Sequence, residues 1–260
     1  MKLTIYKADA FAEKAFEGNP AAVVPLQEWL PDALMQQIAM ENNLSETAFF
    51  VPTESGFHIR WFTPKAEVKL CGHATLATAH VLFNHLGFTG NEISFDSLSG
   101  VLKVTRENGL IVLDFPALTA TKTEIPVAVA KAFHFAPKAC FKGRDDYMLI
   151  FENEQEVLSL QPDFQQLVNA QTRGVICTSK SEKYDFVSRF FAPAVGVNED
   201  PVTGSAHTML IPFWAEKLGK TEMVAKQVSA RGGFLHCKLA GDRVKIGGKA
   251  VTFLTGEITV

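Results

Sequence analysis

The chain has 260 residues, 47% of them hydrophobic and 20% charged, with 21 Phe; that is enough apolar side chain for one large core or two ordinary ones, and it excludes wholesale disorder. Lysine and arginine total 25 against 28 aspartate and glutamate, a net charge of −3, without the basic excess that a phosphate-backbone binder needs, so nucleic acid is not an expected partner. Lys7 and Asp9 interrupt the first apolar run and no stretch reaches the about 18 apolar residues of a membrane span, so a cytoplasmic protein with no membrane partner is expected.

Apolar and β-branched runs predict strands over residues 2–6 and 21–25, followed by a proline-led amphipathic helix over 31–41. Ser45-Glu46-Thr47-Ala48-Phe49-Phe50-Val51 starts another strand, and residues 57–62 make the next, running into Pro64. A helix then begins at Gly72, is apolar nearly all round over 76–83, and closes at Gly87. Strands follow at 92–95, 100–105 and 110–115, and the shift in composition over 117–123 marks the best linker, near mid-chain. Beyond it lie a helix over 126–133, a strand over 148–151, a helix over 162–170, and strands over 174–178 and 186–191. A second all-round apolar helix starts at Gly204 and closes at Gly219, and strands over 234–239, 243–246 and 251–260 complete the chain. Pro212 sits inside that second helix, where it removes a backbone donor and should bend the axis.

Comparison of the chain with itself exposes a duplication. Phe57-His58-Ile59-Arg60-Trp61-Phe62-Thr63-Pro64 matches Phe186-Val187-Ser188-Arg189-Phe190-Phe191-Ala192-Pro193, 129 positions later, and Gly72-His73-Ala74 matches Gly204-Ser205-Ala206, 132 positions later. Each copy reads as strand, proline-ended loop, glycine turn and central helix wrapped by strands. The matched Arg60 and Arg189 are expected in structural ion pairs.

Three places carry reactive groups. Glu46 is a lone carboxylate at an apolar strand start, where desolvation favours proton exchange. Cys71-Gly72-His73 lies at a helix start, placing a thiol and an imidazole beside outward amides that suit an anion. Glu199-Asp200-Pro201-Val202-Thr203-Gly204-Ser205 repeats that position with two carboxylates and hydroxyls, and two such duplicated starts point to one cleft between the halves. Cys71, Cys140, Cys177 and Cys237 form no CxxC pair and the histidines no HExxH, so reduced thiols and no metal are expected. His58, His80, His85, His134, His207 and His236 are assigned packing or surface roles.

In order along the chain, Asp9-Ala10-Phe11, Gly18-Asn19-Pro20-Ala21-Ala22-Val23-Val24, Ser45-Glu46-Thr47-Ala48-Phe49, Arg60-Trp61-Phe62-Thr63-Pro64, Cys71-Gly72-His73-Ala74-Thr75, Glu199-Asp200-Pro201-Val202-Thr203-Gly204-Ser205-Ala206, Arg231-Gly232-Gly233 and Gly247-Gly248-Lys249-Ala250-Val251 resemble the phenazine-biosynthesis isomerase (PhzF-like) family over nearly the whole chain. The resemblance implies an α+β, diaminopimelate-epimerase-like fold of two pseudo-symmetric halves, each a curved mixed sheet or barrel wrapped round a central helix. Residues 1–116 with about 248–260 would form the first half and 117–247 the second, with the active-site cleft between them. It further implies a homodimer, no cofactor, and a proton-shuttling isomerase that shifts a proton and a double bond in a small anionic (carboxylate) metabolite. Glu46 carries over as acid/base with His73 and Asp200 as its catalytic partners, while Gly72, Gly204, Ser205 and Cys71 carry over to substrate binding. The rivals are an epimerase or racemase of a small acid and a non-catalytic metabolite-binding protein. A two-thiol racemase is disfavoured, because Cys71 fits the first thiol position while the second falls at or near Val202. The chain also reads as shorter than typical members.

Overall fold

The computed structural model describes residues 1–260, and the chain divides into two compact units, Met1–Asp114 with Gly247–Val260, and Phe115–Ile246. The first unit opens with β1 (Lys2–Ala10), β2 (Asn19–Pro25), α1 (Asp32–Asn42), β3 (Glu46–Pro52), β4 (Phe57–Phe62) and β5 (Glu67–Val68). It continues through α2 (Gly72–Asn84), β6 (Glu92–Asp96), β7 (Leu102–Glu107) and β8 (Leu110–Pro116), which runs across the boundary. The second unit holds β9 (Thr121–Thr123), α3 (Val127–Ala132), β10 (Ala139–Lys142), β11 (Asp146–Ile150), α4 (Glu154–Ser159), α5 (Phe164–Val168), β12 (Gly174–Lys180) and β13 (Phe186–Ala192). After a 3-10 turn at Pro193–Val195 come β14 (Val197–Asp200), α6 (Gly204–Leu218), β15 (Glu222–Gln227), β16 (Gly233–Ala240) and β17 (Arg243–Gly248), and β18 (Ala250–Thr259) returns to the first unit.

The duplication is visible in the pairing. In the first unit β1–β2 is antiparallel, β2–β3 parallel, β3–β4 and β4–β5 antiparallel, β4–β6 parallel and β6–β7 antiparallel. The second unit repeats the sequence with β10–β11, β11–β12, β12–β13, β13–β14, β13–β15 and β15–β16, each in the same sense. β18 adds antiparallel to β1 as β9 adds to β10. Each unit is thus a mixed sheet with its own long helix, buried on nearly every face: α2 is buried from His73 to Ala79 and α6 from Ala206 to Ile211.

Strands in such units are covered on both sides, which is why β2 and β3 read as continuous apolar runs rather than alternating ones. Phe49 and Val51 of β3 pack outward with Ala22, Val24 and Met35, Ile38 and Ala39 of α1. Alternation then turns Glu46, Ala48 and Phe50 to the opposite face, toward α2. In the second unit an outer cluster of the same kind joins Val129 and Ala132 of α3 and Leu167 of α5 to Leu149, Val175, Val187 and Phe191.

The matched arginines are structural ion pairs. Arg60 Nε and Nη2 donate to both carboxylate oxygens of Glu67 at 2.7 Å each, and Arg189 makes the same fork to Glu199 at 2.7 and 2.9 Å. Arg60 also reaches Asp32 Oδ1 at the start of α1, whereas Arg189 Nη1 donates to the carbonyls of Val157 and Leu160 at the end of α4. Each fork ties its strand to the short strand that follows, and the Nη1 contact ties it to the outer helix.

Several boundaries depart from expectation. Pro31 and Pro126 are the N-cap residues of α1 and α3 rather than their first helical residues, and Asp163, whose carboxylate accepts from Gln165 N and Gln166 N, caps the shorter α5. Gly219 closes α6 in the left-handed conformation, but α2 ends at Asn84 with His85 as its cap, and Gly87 (φ 69°) lies two residues beyond. Pro212 stays inside α6, and the carbonyl it cannot serve, Thr208 O, accepts instead from Leu118 N at 2.9 Å. No helix is long and apolar enough to cross a membrane.

Candidate active site

In the first unit the reactive side chains come from three elements. Asn19 and Glu46 open the parallel strands β2 and β3, in which Ala21 pairs with Glu46, and His73 is the second residue of α2, with Cys71 as its N-cap. Glu46 Oε2 lies 3.3 Å from His73 Nε2. On the other edge of the same ring, Nδ1 is 3.3 Å from Asn19 Nδ2 and 3.5 Å from Cys71 Sγ. Asn19 and His73 are buried while Glu46 keeps partial exposure. Burial lowers the His73 pKa to about 3, so the ring beside Glu46 is neutral imidazole at ordinary pH.

Glu46, Cys71 and His73 also offer one donor atom each within 4.8 Å of one another, the makings of a metal site. The ring, however, turns Nε2 to the carboxylate and Nδ1 to the thiol. The arrangement suits proton transfer.

The second unit places its polar residues at the corresponding helix start. Of the two adjacent carboxylates, Glu199 is paired with Arg189. Thr203 Oγ1 donates to Asp200 Oδ2 at 2.5 Å. Behind this turn Gln227, fully buried at the end of β15, accepts from Thr203 N at 2.9 Å and donates to Asp200 O at 2.8 Å and Thr203 Oγ1 at 3.1 Å. The charge of Asp200 is among those acting on Arg173, whose guanidinium pairs with Asp146.

The helix starts sharpen an expected register. Cys71 caps α2 and Thr203 caps α6, so the counterpart of the thiol is Thr203, next to the buried Val202. A hydroxyl therefore stands where a second thiol would be needed. Neither cap side chain bonds to its own helix, and the first amides of each helix, at Gly72–His73 and Gly204–Ser205, have no such cap over them. One turn further on, Thr75 Oγ1 and His207 Nδ1 both reach back to the carbonyl of the cap residue, at 2.6 and 2.8 Å. His207 is thus a packing histidine, and burial holds its pKa at about 4.

The sequence singled out Glu46, Cys71, Gly72 and His73, which meet in the first unit, and Asp200, Gly204 and Ser205, which meet in the second. It gave no role to Asn19 or Gln227. A short polar residue between Gly18 and Pro20 was the available signal for the first; the second was hidden because β15 turns Val224 outward and Gln227 inward, against their hydropathy.

The family model of the phenazine biosynthesis-like proteins (PhzC-PhzF) matches residues 8–256. An uncharacterized isomerase of Pseudomonas aeruginosa is 49% identical over 258 residues, covering 99% of each chain. The crystal structure of a PhzF-family protein from Enterococcus faecalis is 46% identical and covers 100% of both chains with a TM-score of 0.97. The structure of a hydroxyproline epimerase from Agrobacterium vitis, 9% identical, shares the fold at a TM-score of 0.62 over 99% of this chain and 92% of its own. The duplicated units, the carboxylate–imidazole pair and these matches place the fold in the diaminopimelate-epimerase-like group, and the chain belongs to the PhzC-PhzF family of phenazine biosynthesis-like proteins as an isomerase.

Proposed function

We propose that this isomerase moves a proton and a double bond within a small carboxylate metabolite, without a cofactor. Glu46 takes the proton from a carbon activated by the neighbouring unsaturation. The electron pair released forms the new double bond, the old one opens toward its far carbon, and Glu46 returns the proton there, so no oxidant or reductant is needed. His73 orients Glu46 and Asp200 assists at the substrate. Gly72 beside Cys71, and Gly204 with Ser205, are substrate-binding positions, since their amides lie at uncapped helix starts, which suit an anion. A homodimer working in the cytoplasm completes the reading; sedimentation at the mass of one chain would remove the dimer.

The observation that carries the proposal is the 3.3 Å approach of Glu46 to a buried, neutral His73. A charged imidazole would hold the carboxylate in a fixed ion pair, whereas a neutral one leaves it able to take and give a proton. The hydroxyl at the second helix cap supports an allylic shift by one carboxylate over racemisation by two thiols.

The test is a proton NMR screen in deuterated water against a panel of unsaturated and cyclic carboxylic acids. The wild type should exchange deuterium into one substrate with migration of its double bond. Glu46→Gln keeps the side-chain shape and should lower that rate by about 100- to 10,000-fold with an unchanged melting temperature. A fully active Glu46→Gln protein, or inversion at a stereocentre without bond migration, would overturn the reading.

A further inference from the structure

His73 stands between two partners that make opposite demands on its single ring proton. Because the ring is neutral, one nitrogen carries hydrogen and the other a lone pair, and the neighbour of one decides the state of the other. Nδ1 faces the Asn19 Nδ2 amide at 3.3 Å, a group that only donates, so Nδ1 accepts and the proton sits on Nε2, 3.3 Å from Glu46 Oε2. His207 shows the reverse case in the same fold: its Nδ1 faces the Thr203 carbonyl, which only accepts, so there Nδ1 carries the proton.

We infer that Asn19 is a positioning residue that fixes His73 as the Nε2–H tautomer and so keeps a hydrogen-bond donor against Glu46. This rests on Glu46 as the acid/base. With that tautomer, Glu46 Oε2 faces an N–H at 3.3 Å and not a second lone pair. With the opposite tautomer, Nε2 would present a lone pair to a carboxylate, and only a protonated Glu46 could approach it.

The chain builds Asn19 into place with unusual constraint. Gly18 has φ 69°, and a Cβ there would lie 2.1 Å from Ala10 O, so only glycine allows β2 to turn in this closely against β1. Pro20 restricts the residue before it to extended backbone. Asn19 then pairs with Ala10 at full burial, and its side chain points the same way as Ala21, which is opposite Glu46.

The test is nitrogen-15 NMR of the histidine rings in the full-length protein, combined with steady-state kinetics. In the wild type His73 should show a protonated Nε2 and a bare Nδ1 between pH 6 and 8. Cys71→Ala removes the other neighbour of Nδ1 and should leave that pattern intact. Asn19→Asp offers only acceptors and should move the proton to Nδ1 or charge the ring. Asn19→Leu should lose the fixed tautomer and lower kcat by about 10- to 100-fold with KM nearly unchanged, the scale on which such orienting partners act. A wild-type ring protonated at Nδ1 would overturn the inference whether or not any variant folds. So would an Asn19→Asp protein that keeps both the Nε2 proton and full turnover. The expected tautomer together with an active Glu46→Gln protein would instead defeat the acid/base reading alone.

Discussion

Replacing Gln227 by Met, close to it in volume, isolates the polar work of that side chain. The change orphans Thr203 N, whose acceptor is Gln227 Oε1 at 2.9 Å, and removes two donations, to Asp200 O at 2.8 Å and Thr203 Oγ1 at 3.1 Å. A buried N–H left unsatisfied costs about 1–3 kcal/mol and each further lost bond about 0.5–1.5 kcal/mol, so the sum is about 2–6 kcal/mol against the second unit. At an m-value of about 3 kcal/mol per molar, its urea midpoint should fall by about 0.7–2 M with the slope unchanged. Turnover should fall as well, because the same three bonds hold the turn that carries Asp200. Gln227→Glu, which keeps the acceptor for Thr203 N but loses both donations and adds a charge, should be no better. A Gln227→Met protein with a wild-type midpoint would show that the turn stands without its buried amide.

Acid should unfold the protein through its histidines. Burial holds His73 at about 3 and His207 at about 4, and His80 is lowered to about 4 by burial and then by the charges of His85 and Arg106, against an ordinary 6.5. Unfolded, these rings take protons below about pH 6.5; folded, they do not until about 4 or lower. Their stabilisation is thus complete above pH 6.5 and is lost as the pH falls toward 4, at up to about 4 kcal/mol per pH unit for the three together. Urea midpoints between pH 7.5 and 4.5 would check this, and His80→Gln should flatten the slope by about a third; stability that rises on acidification would contradict it. Among the thiols, Cys71 is 6% exposed and Cys140, Cys177 and Cys237 are 3% or less, while burial pushes the Cys140 pKa to about 11 and holds Cys177 and Cys237 up as well. Iodoacetamide mapping by mass spectrometry should find Cys71 alkylated first, and faster labelling at any of the other three would refute its place at the edge of the site.

What could be read from the sequence was whatever repeats or breaks a pattern. The 129- and 132-residue offsets already contained the ion-pair forks, since Arg60 to Arg189 follows the first and Glu67 to Glu199 the second. Glu46 was legible as a carboxylate in an apolar run, and His73 as an imidazole at a helix start. Short elements escaped. α4 is signalled only by Asn153 and Glu156, where Asn153 Oδ1 accepts from Glu156 N and Glu156 Oε2 from Glu152 N. β10 has four residues and β15 places its side chains against hydropathy, so neither gives a period strong enough to count. Tautomers and buried amide networks are set by which atoms face one another across elements, and no spacing along the chain encodes that.

The contact between Leu118 N and Thr208 O bears on how the two units could be exchanged between relatives. The residue 132 places before Pro212 is His80, an ordinary helix position, so one copy of the helix tolerates proline because a passing strand end supplies the donor that proline lacks. Ala117 N, bonded to Asp242 O at 2.8 Å, fixes that passing segment in place. The stretch that looks like a tether is therefore a structural member of the second unit. A chimera joined ahead of Ala117 transfers the proline together with its remedy. One joined between Leu118 and Thr121 parts them, and leaves a buried carbonyl of α6 dependent on a foreign sequence.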